Sequence, residues 1–239
     1  MTPANHNLKI KIFADGANKS EMLEMSQNAV IKGLTTNPSL MRKAGVENYK
    51  EFALDVLSKI KDKPISFEVF SDDLNEMERQ AIEISSWAKN VYVKLPITNT
   101  KGITTSKLIK YLSDKNIKLN VTAVFTLKQV NEVLEVLNKD VDSYISVFAG
   151  RIADTGVDPI PLMQKALIIM KNHKNCELIW ASPREMLNIF QADSIGCHII
   201  TVSGDIIQKL KLIGYDHEKY SLETVKMFYD DGVSSGFKI

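Results

Sequence analysis

The sequence has only two cysteines, Cys176 and Cys197, among its 239 residues. Two cannot build the disulfide framework of a small secreted domain, and they predict a pair of reduced, buried thiols. No apolar run approaches the length of a bilayer-spanning helix, and the polar start Met1–Asn7 lacks a signal peptide's apolar core. A cytoplasmic protein with no membrane partner is expected. The formal net charge is only +1, so no global field attracts nucleic acid. Glycine forms neither a G-x-G-x-x-G turn nor a phosphate-binding P-loop, which removes the two commonest nucleotide-binding signatures. Arginine is scarce as well: 26 of the 30 basic residues are lysine, and the four exceptions are Arg42, Arg79, Arg151 and Arg184. Where lysine supplies the ordinary surface charge, an arginine hints that its planar fork is needed, as for phosphate or carboxylate.

There is also no low-complexity tract, no linker and no break in composition. Short apolar runs alternate with amphipathic segments instead. The runs predict strands over Leu8–Ala14, Ile31–Thr35, Ile65–Phe70, Val91–Leu95, Lys118–Val124, Ser143–Phe148, Glu177–Ala181 and Cys197–Val202. Among the helices predicted between them are Asn48–Ile60, Leu74–Ala88, Leu127–Leu137 and Pro183–Phe190. Asp154-Thr155-Gly156 reads as a start signal for one helix, and Ser182-Pro183 as a cap followed by proline for another. Eight strand–helix units in this length predict a single (β/α)8 barrel over residues 1–239, with residues 220–239 as a C-terminal helix or tail. A doubly wound open sheet is the alternative.

In such a barrel the reactive groups stand at the carboxyl ends of the strands. Lys94, in Val91-Tyr92-Val93-Lys94-Leu95-Pro96, is out of place in an apolar strand, because a buried ammonium needs a partner. Partial burial and nearby arginine charge are expected to lower its pKa and free the amine to attack a carbonyl. Asp15 ends the first strand, Thr36 and Asn37 follow the second, and Glu68 lies in the third. Asn120 and Thr122 share one side of the fifth strand, as Ser146 and Phe148 do on the sixth. Arg151, Ser182 and Arg184 follow strands six and seven. Each has an ordinary reading alone: Asp15 and Ser182 as caps, Thr36 and Asn37 as turn formers, Arg151 as the partner of Asp154. Together they suit aldol cleavage through an imine. Lys94 forms the imine, Asp15 takes the hydroxyl proton as the C–C bond breaks, and Glu68 with Thr122 moves protons through a water. Arg151, Arg184 and the N–H groups of a helix starting at Ser182 form a phosphate site.

These blocks resemble the transaldolases and their short relatives, the fructose-6-phosphate aldolases. The resemblance rests on Phe13-Ala14-Asp15, Gly33-Leu34-Thr35-Thr36-Asn37-Pro38-Ser39, Val93-Lys94-Leu95-Pro96, Asn120-Val121-Thr122, Ser146-Val147-Phe148-Ala149-Gly150-Arg151-Ile152 and Ala181-Ser182-Pro183-Arg184. It implies a Schiff-base lysine at Lys94 and an acid/base at Asp15. It further implies Glu68 and Thr122 around a catalytic water, and substrate contacts from Thr36, Asn37, Asn120, Ser146 and Phe148. Arg151, Ser182 and Arg184 would hold the phosphate. Sugar phosphates are the implied substrates and the pentose phosphate pathway the implied setting, with no metal or organic cofactor. The scattered His6, His173, His198 and His217 accord with that, since they show no ligand spacing. Free aldolases usually carry Gln in place of Glu68 and Tyr in place of Phe148, so both positions here are transferase-like. Pro183 departs from the aromatic usual between the serine and the basic residue. The short class implies a homo-oligomer, with rings of five pairing into decamers. Release of free dihydroxyacetone, or a silent sugar-phosphate-binding barrel, are the alternatives.

Overall fold

The computed structural model describes residues 8–238; Met1–Asn7, with His6, and Ile239 lie outside the described residues. The segment Leu8–Ile207 is one compact unit. Its first half runs β1 (Lys11–Asp15), α1 (Lys19–Gln27), β2 (Ile31–Thr35), α2 (Pro38–Lys43), α3 (Tyr49–Lys59), β3 (Ile65–Glu68), α4 (Leu74–Ser85) and β4 (Val91–Pro96). The second half runs α5 (Ser106–Asp114), β5 (Leu119–Val124), α6 (Leu127–Val136), β6 (Ser143–Val147), α7 (Ala149–Ala153), α8 (Ile160–Met170), β7 (Cys176–Trp180), α9 (Leu187–Ser194), β8 (Ile199–Ser203) and α10 (Gly204–Gln208). The eight strands close in sequence order into a barrel. Parallel pairing of β1 with β8, from Lys11↔Ile199 to Asp15↔Ser203, makes the closure and excludes the open sheet. The protein is a (β/α)8 barrel, as its alternating runs predict.

The strands form where β-branched and aromatic residues are buried on both faces, as the fully buried β6 shows. Helix starts follow short polar caps: Asn37, Asn48, Asp73 and Thr126 each accept a backbone N–H of the next turn. Inside the barrel, Phe13, Tyr92, Tyr144, Ile179, Ala181 and Ile199 form one buried cluster. Tyr92 stacks on Tyr144 at 4.1 Å between centroids, and Phe13 meets Tyr144 edge-on at 5.8 Å. Gly33 makes room for this packing, because a Cβ there would lie 2.6 Å from the Phe13 ring. Cys176 and Cys197 are free and buried, as expected, and burial pushes both thiols up to about 12.

Two start signals are corrected. Asp154 does not open a helix; it ends α7, and α8 begins at Ile160 with Asp158 accepting the Ile160 N–H at 2.9 Å. Ser182 and Pro183 are not a cap and first turn either, for α9 begins at Leu187. Ser182 is left-handed, at φ 60°. Pro183 disfavours the helical region for the residue before it, and the Asn188 side chain takes the N–H groups of Arg184 and Glu185 at 2.8 and 3.0 Å.

From Gln208 onward the chain forms a second unit. A 3-10 turn (Lys209–Leu212) precedes α11 (His217–Ser234), which Asp216 caps through the Lys219 N–H. The helix therefore starts three residues before Tyr220, and it has no buried residue. Among the described residues no helix is long and apolar enough to cross a membrane.

Candidate active site

Parallel register puts Glu68, Lys94 and Asn120 side by side on three neighbouring strands, through the pairs Glu68↔Lys94 and Lys94↔Asn120. Lys94 is 7% exposed and lies in the carboxyl half of β4, which runs two residues further to Pro96. Its Nζ donates to the Thr36 carbonyl at 2.8 Å and pairs with Glu68 Oε2 at 3.0 Å. The buried ammonium thus has the partners that burial demands. The charge in contact with it is a carboxylate; the expected arginines engage other groups.

Asp15 ends β1, where its Oδ1 accepts from Thr35 Oγ1 at 2.7 Å. Thr35 Oγ1 also lies within hydrogen-bond distance of Thr201 Oγ1 from β8. Since Thr35 donates to the carboxylate, Thr201 donates to Thr35, and a two-hydroxyl chain ends on Asp15. Burial raises the Asp15 carboxyl above its ordinary value, while the Lys94 charge and the Thr35 hydrogen bond partly hold it down.

Ser146 Oγ donates to Asn120 Oδ1 at 2.7 Å, and Asn120 Nδ2 donates to Ser66 Oγ at 3.0 Å. The two predicted substrate contacts therefore hold each other, with Ser66 at the far end. Thr36 Oγ1 donates to the Ser66 carbonyl. Asn37, whose ordinary reading is a turn former, caps α2 instead, its Oδ1 accepting the Leu40 N–H at 2.9 Å, and its side-chain nitrogen makes no hydrogen bond among the described residues. Thr122 differs: its buried Oγ1 has no partner among the described residues. It lies where the β5–β6 register shifts between Val121 and Val124, beside Ala123 at φ 58°. A bulge that leaves a buried hydroxyl free suits a group that binds water or substrate.

The cationic corner is built by a close approach. A Cβ on Gly150 would lie 1.5 Å from the Ser182 carbonyl oxygen, and the Gly150 N–H donates to Ala181 O at 3.2 Å. The segment carrying Arg151 thereby meets the one carrying Ser182 and Arg184. Arg184 forks onto Asp154, Nε to Oδ1 at 2.9 Å and Nη2 to Oδ2. Asp154 thus pairs with Arg184 by hydrogen bonds, whereas the Arg151 guanidinium lies 5.6 Å from the centre of the half-buried Phe148 ring. The helix N-terminus expected at Ser182 is absent, which removes its N–H groups from the predicted phosphate site and leaves the predicted side chains Arg151, Ser182 and Arg184.

Sequence reasoning missed Tyr49, Thr35 as a partner of Asp15, Ser66, Thr201 and the role of Asp154. Thr35, which ends β2 opposite Asp15, was a usable signal, whereas Thr201 lies mid-strand in β8 opposite Phe13 and carries no such mark. Nothing local marks Tyr49, whose hydroxyl bonds the backbone of Glu68.

The fold and the site define a closed (β/α)8 barrel in which a buried lysine pairs with Glu68 near the carboxyl ends of the strands and Asp15 feels its charge. The comparisons with known proteins narrow it. The model of the transaldolase/fructose-6-phosphate aldolase family matches residues 12–235, and the chain belongs to that family. It is 34% identical over 236 residues to a probable transaldolase of Thermoanaerobacter sp. strain X514, covering 96% of this chain and 100% of that one. A probable transaldolase of Clostridium kluyveri is 36% identical over 202 residues, covering 84% of this chain and 89% of its own. Among solved structures, 3-keto-L-gulonate-6-phosphate decarboxylase from Vibrio cholerae shares the fold, with a TM-score of 0.54 at 12% identity over 82% of this chain and 87% of that one.

Proposed function

We propose that the protein is a transaldolase that moves a dihydroxyacetone unit between sugar phosphates through an imine on Lys94. The observation that carries this is the pairing of the buried Lys94 with the partly buried Glu68, with Asp15 close enough to feel both charges. Lys94 gives up a proton, its amine adds to the ketose carbonyl, and loss of water leaves the imine. Glu68 and a water held by the free Thr122 hydroxyl carry the protons of those steps. Asp15 then removes the proton of the hydroxyl beside the breaking C–C bond, the imine takes up the electron pair, and an aldose phosphate leaves. The remaining enamine adds to a second aldose phosphate, and the steps reverse. Asn37, Asn120 and Ser146 contact the substrate hydroxyls, and Thr36 lines the site. Arg151, Ser182 and Arg184 bind the phosphate, for which Arg184 exchanges Asp154.

Transfer is favoured over release because Phe148 has no hydroxyl to aim at the relay water. The test uses fructose 6-phosphate with and without erythrose 4-phosphate. Sedoheptulose 7-phosphate and glyceraldehyde 3-phosphate are the expected main products of the pair. Without the acceptor, free dihydroxyacetone should form at least about tenfold more slowly, a barrier difference of about 1.4 kcal/mol. Comparable rates would make the protein a free aldolase.

A homo-oligomer, such as a ring of five or a decamer, belongs to the same reading, as does action in the cytoplasm within the pentose phosphate pathway. Helix α11 supports the oligomer, since Leu222, Val225, Phe228, Tyr229 and Val233 are all exposed on it.

A further inference from the structure

The hydroxyl of Tyr49, the first residue of α3, makes two hydrogen bonds to one peptide-flanked residue. It accepts the Glu68 N–H at 2.8 Å and donates to the Glu68 carbonyl at 2.9 Å. The course of β2 explains why Glu68 needs this partner. Pairing between β2 and β3 ends at Thr35↔Ser66, and the last rung is the Thr36 N–H on the Ser66 carbonyl at 3.1 Å. The chain then leaves through Asn37 and Pro38 into α2. On the other edge of β3 the Val69 N–H bonds the Lys94 carbonyl at 3.1 Å. Backbone groups alternate along a strand, so the N–H and C=O of Glu68 face the side that β2 has vacated. The phenol stands in for the missing strand, with donor and acceptor in one oxygen.

The phenol is itself fixed. Its ring meets Phe67 and Phe70 edge-on at 6.3 and 5.5 Å, and tilts against Trp87 at 5.9 Å. Burial pushes the hydroxyl above its ordinary range, so it remains a protonated donor.

We propose that Tyr49 is a positioning residue of the reaction: by gripping the Glu68 backbone at both groups, it fixes the Glu68 carboxylate against Lys94 Nζ. It thereby sets the rate of the proton transfers that make and hydrolyse the imine. This rests on the reading of Lys94 as the imine-forming amine. A structural filler would support folding alone; a positioning residue acts only while Glu68 has a carboxylate to position.

The test is a double-mutant cycle on the full chain with Tyr49→Phe, Glu68→Ala and the two combined. Steady-state kinetics on fructose 6-phosphate and erythrose 4-phosphate are read beside borohydride trapping of the Lys94 adduct. Tyr49→Phe keeps the ring cluster, and kcat is expected to fall about tenfold with KM within about twofold. In the Glu68→Ala background the same replacement should change kcat less than about twofold. A variant with p-aminophenylalanine at position 49 restores a donor-acceptor group and should recover most of the loss, which keeps the proposal testable if Tyr49→Phe folds poorly. An unchanged kcat in Tyr49→Phe overturns the proposal. So does an equal loss with and without the Glu68 carboxylate, or failure of the p-aminophenylalanine variant to recover activity. Absence of any Lys94 adduct in the unaltered protein is a separate result, which would remove the imine reading and this proposal with it.

Discussion

Gly150 and Ser182 touch through their backbones, so closely that a Cβ on Gly150 would fall 1.5 Å from the Ser182 carbonyl oxygen. The obstacle is backbone, which has no rotamer by which to yield. Gly150→Ala should therefore push the Arg151 and Arg184 segments apart. We expect a destabilisation of about 1–3 kcal/mol or more, as for other overpacked sites, and a higher KM for phosphorylated sugars. Gly204→Ala, where nothing lies within 4 Å of the added Cβ, is the control and should change both little. Thermal unfolding and substrate titration of the two variants make the comparison.

Arg184→Ala should raise KM for a phosphorylated ketose about 10- to 100-fold, the scale of a lost charge-assisted hydrogen bond. Unphosphorylated dihydroxyacetone should be affected much less. Asp154→Asn tests the exchange directly. Both partners of that pair are exposed, so the fork is given up readily, and KM for phosphorylated sugars should stay level or fall. Equal losses on both kinds of substrate in Arg184→Ala would assign the arginine another role.

Asp15 is expected to make stability depend on pH. Its carboxyl is raised by burial from the ordinary value of 3.8. Between that value and its folded value the native state binds more protons than the unfolded one, so stability is lost as pH rises through this window. Asp15→Asn carries no such charge. Its Tm should exceed that of the unaltered protein at pH 7, and the gap should close as pH falls toward about 4, while activity is lost. Melting curves from pH 4 to 8 give the answer; an Asn variant no more stable at pH 7 would contradict it.

The barrel was legible in the sequence because each strand is a short run of β-branched and aromatic residues, and tertiary context reinforces that pattern. Lys94 was legible for the opposite reason, as a charge inside such a run. Ser182 was misread because Ser-Pro satisfies the local rule for a helix start. What overrides the rule comes from elsewhere in the chain: Gly150 lies against the Ser182 carbonyl, and Asn188 takes the N–H groups ahead of α9. The Arg184–Asp154 pair spans 30 positions and the Tyr49–Glu68 contact 19. Side-chain partnerships at such separations are set by how the strands are placed, and no local pattern marks them.

Removal of residues 217–239 should leave the barrel folded and reduce the size of the assembly in solution scattering. The exposed apolar side chains of α11 motivate this, since such surface is seldom left to water. A full-length protein that is already a monomer, and that keeps full activity after the truncation, would contradict the proposed oligomer.

The most direct test of the central claim is borohydride reduction in the presence of fructose 6-phosphate, followed by peptide mass spectrometry. The account predicts one reduced adduct, on Lys94, and none on a folded Lys94→Met variant. An adduct on any other lysine, or one that persists in Lys94→Met, would contradict it.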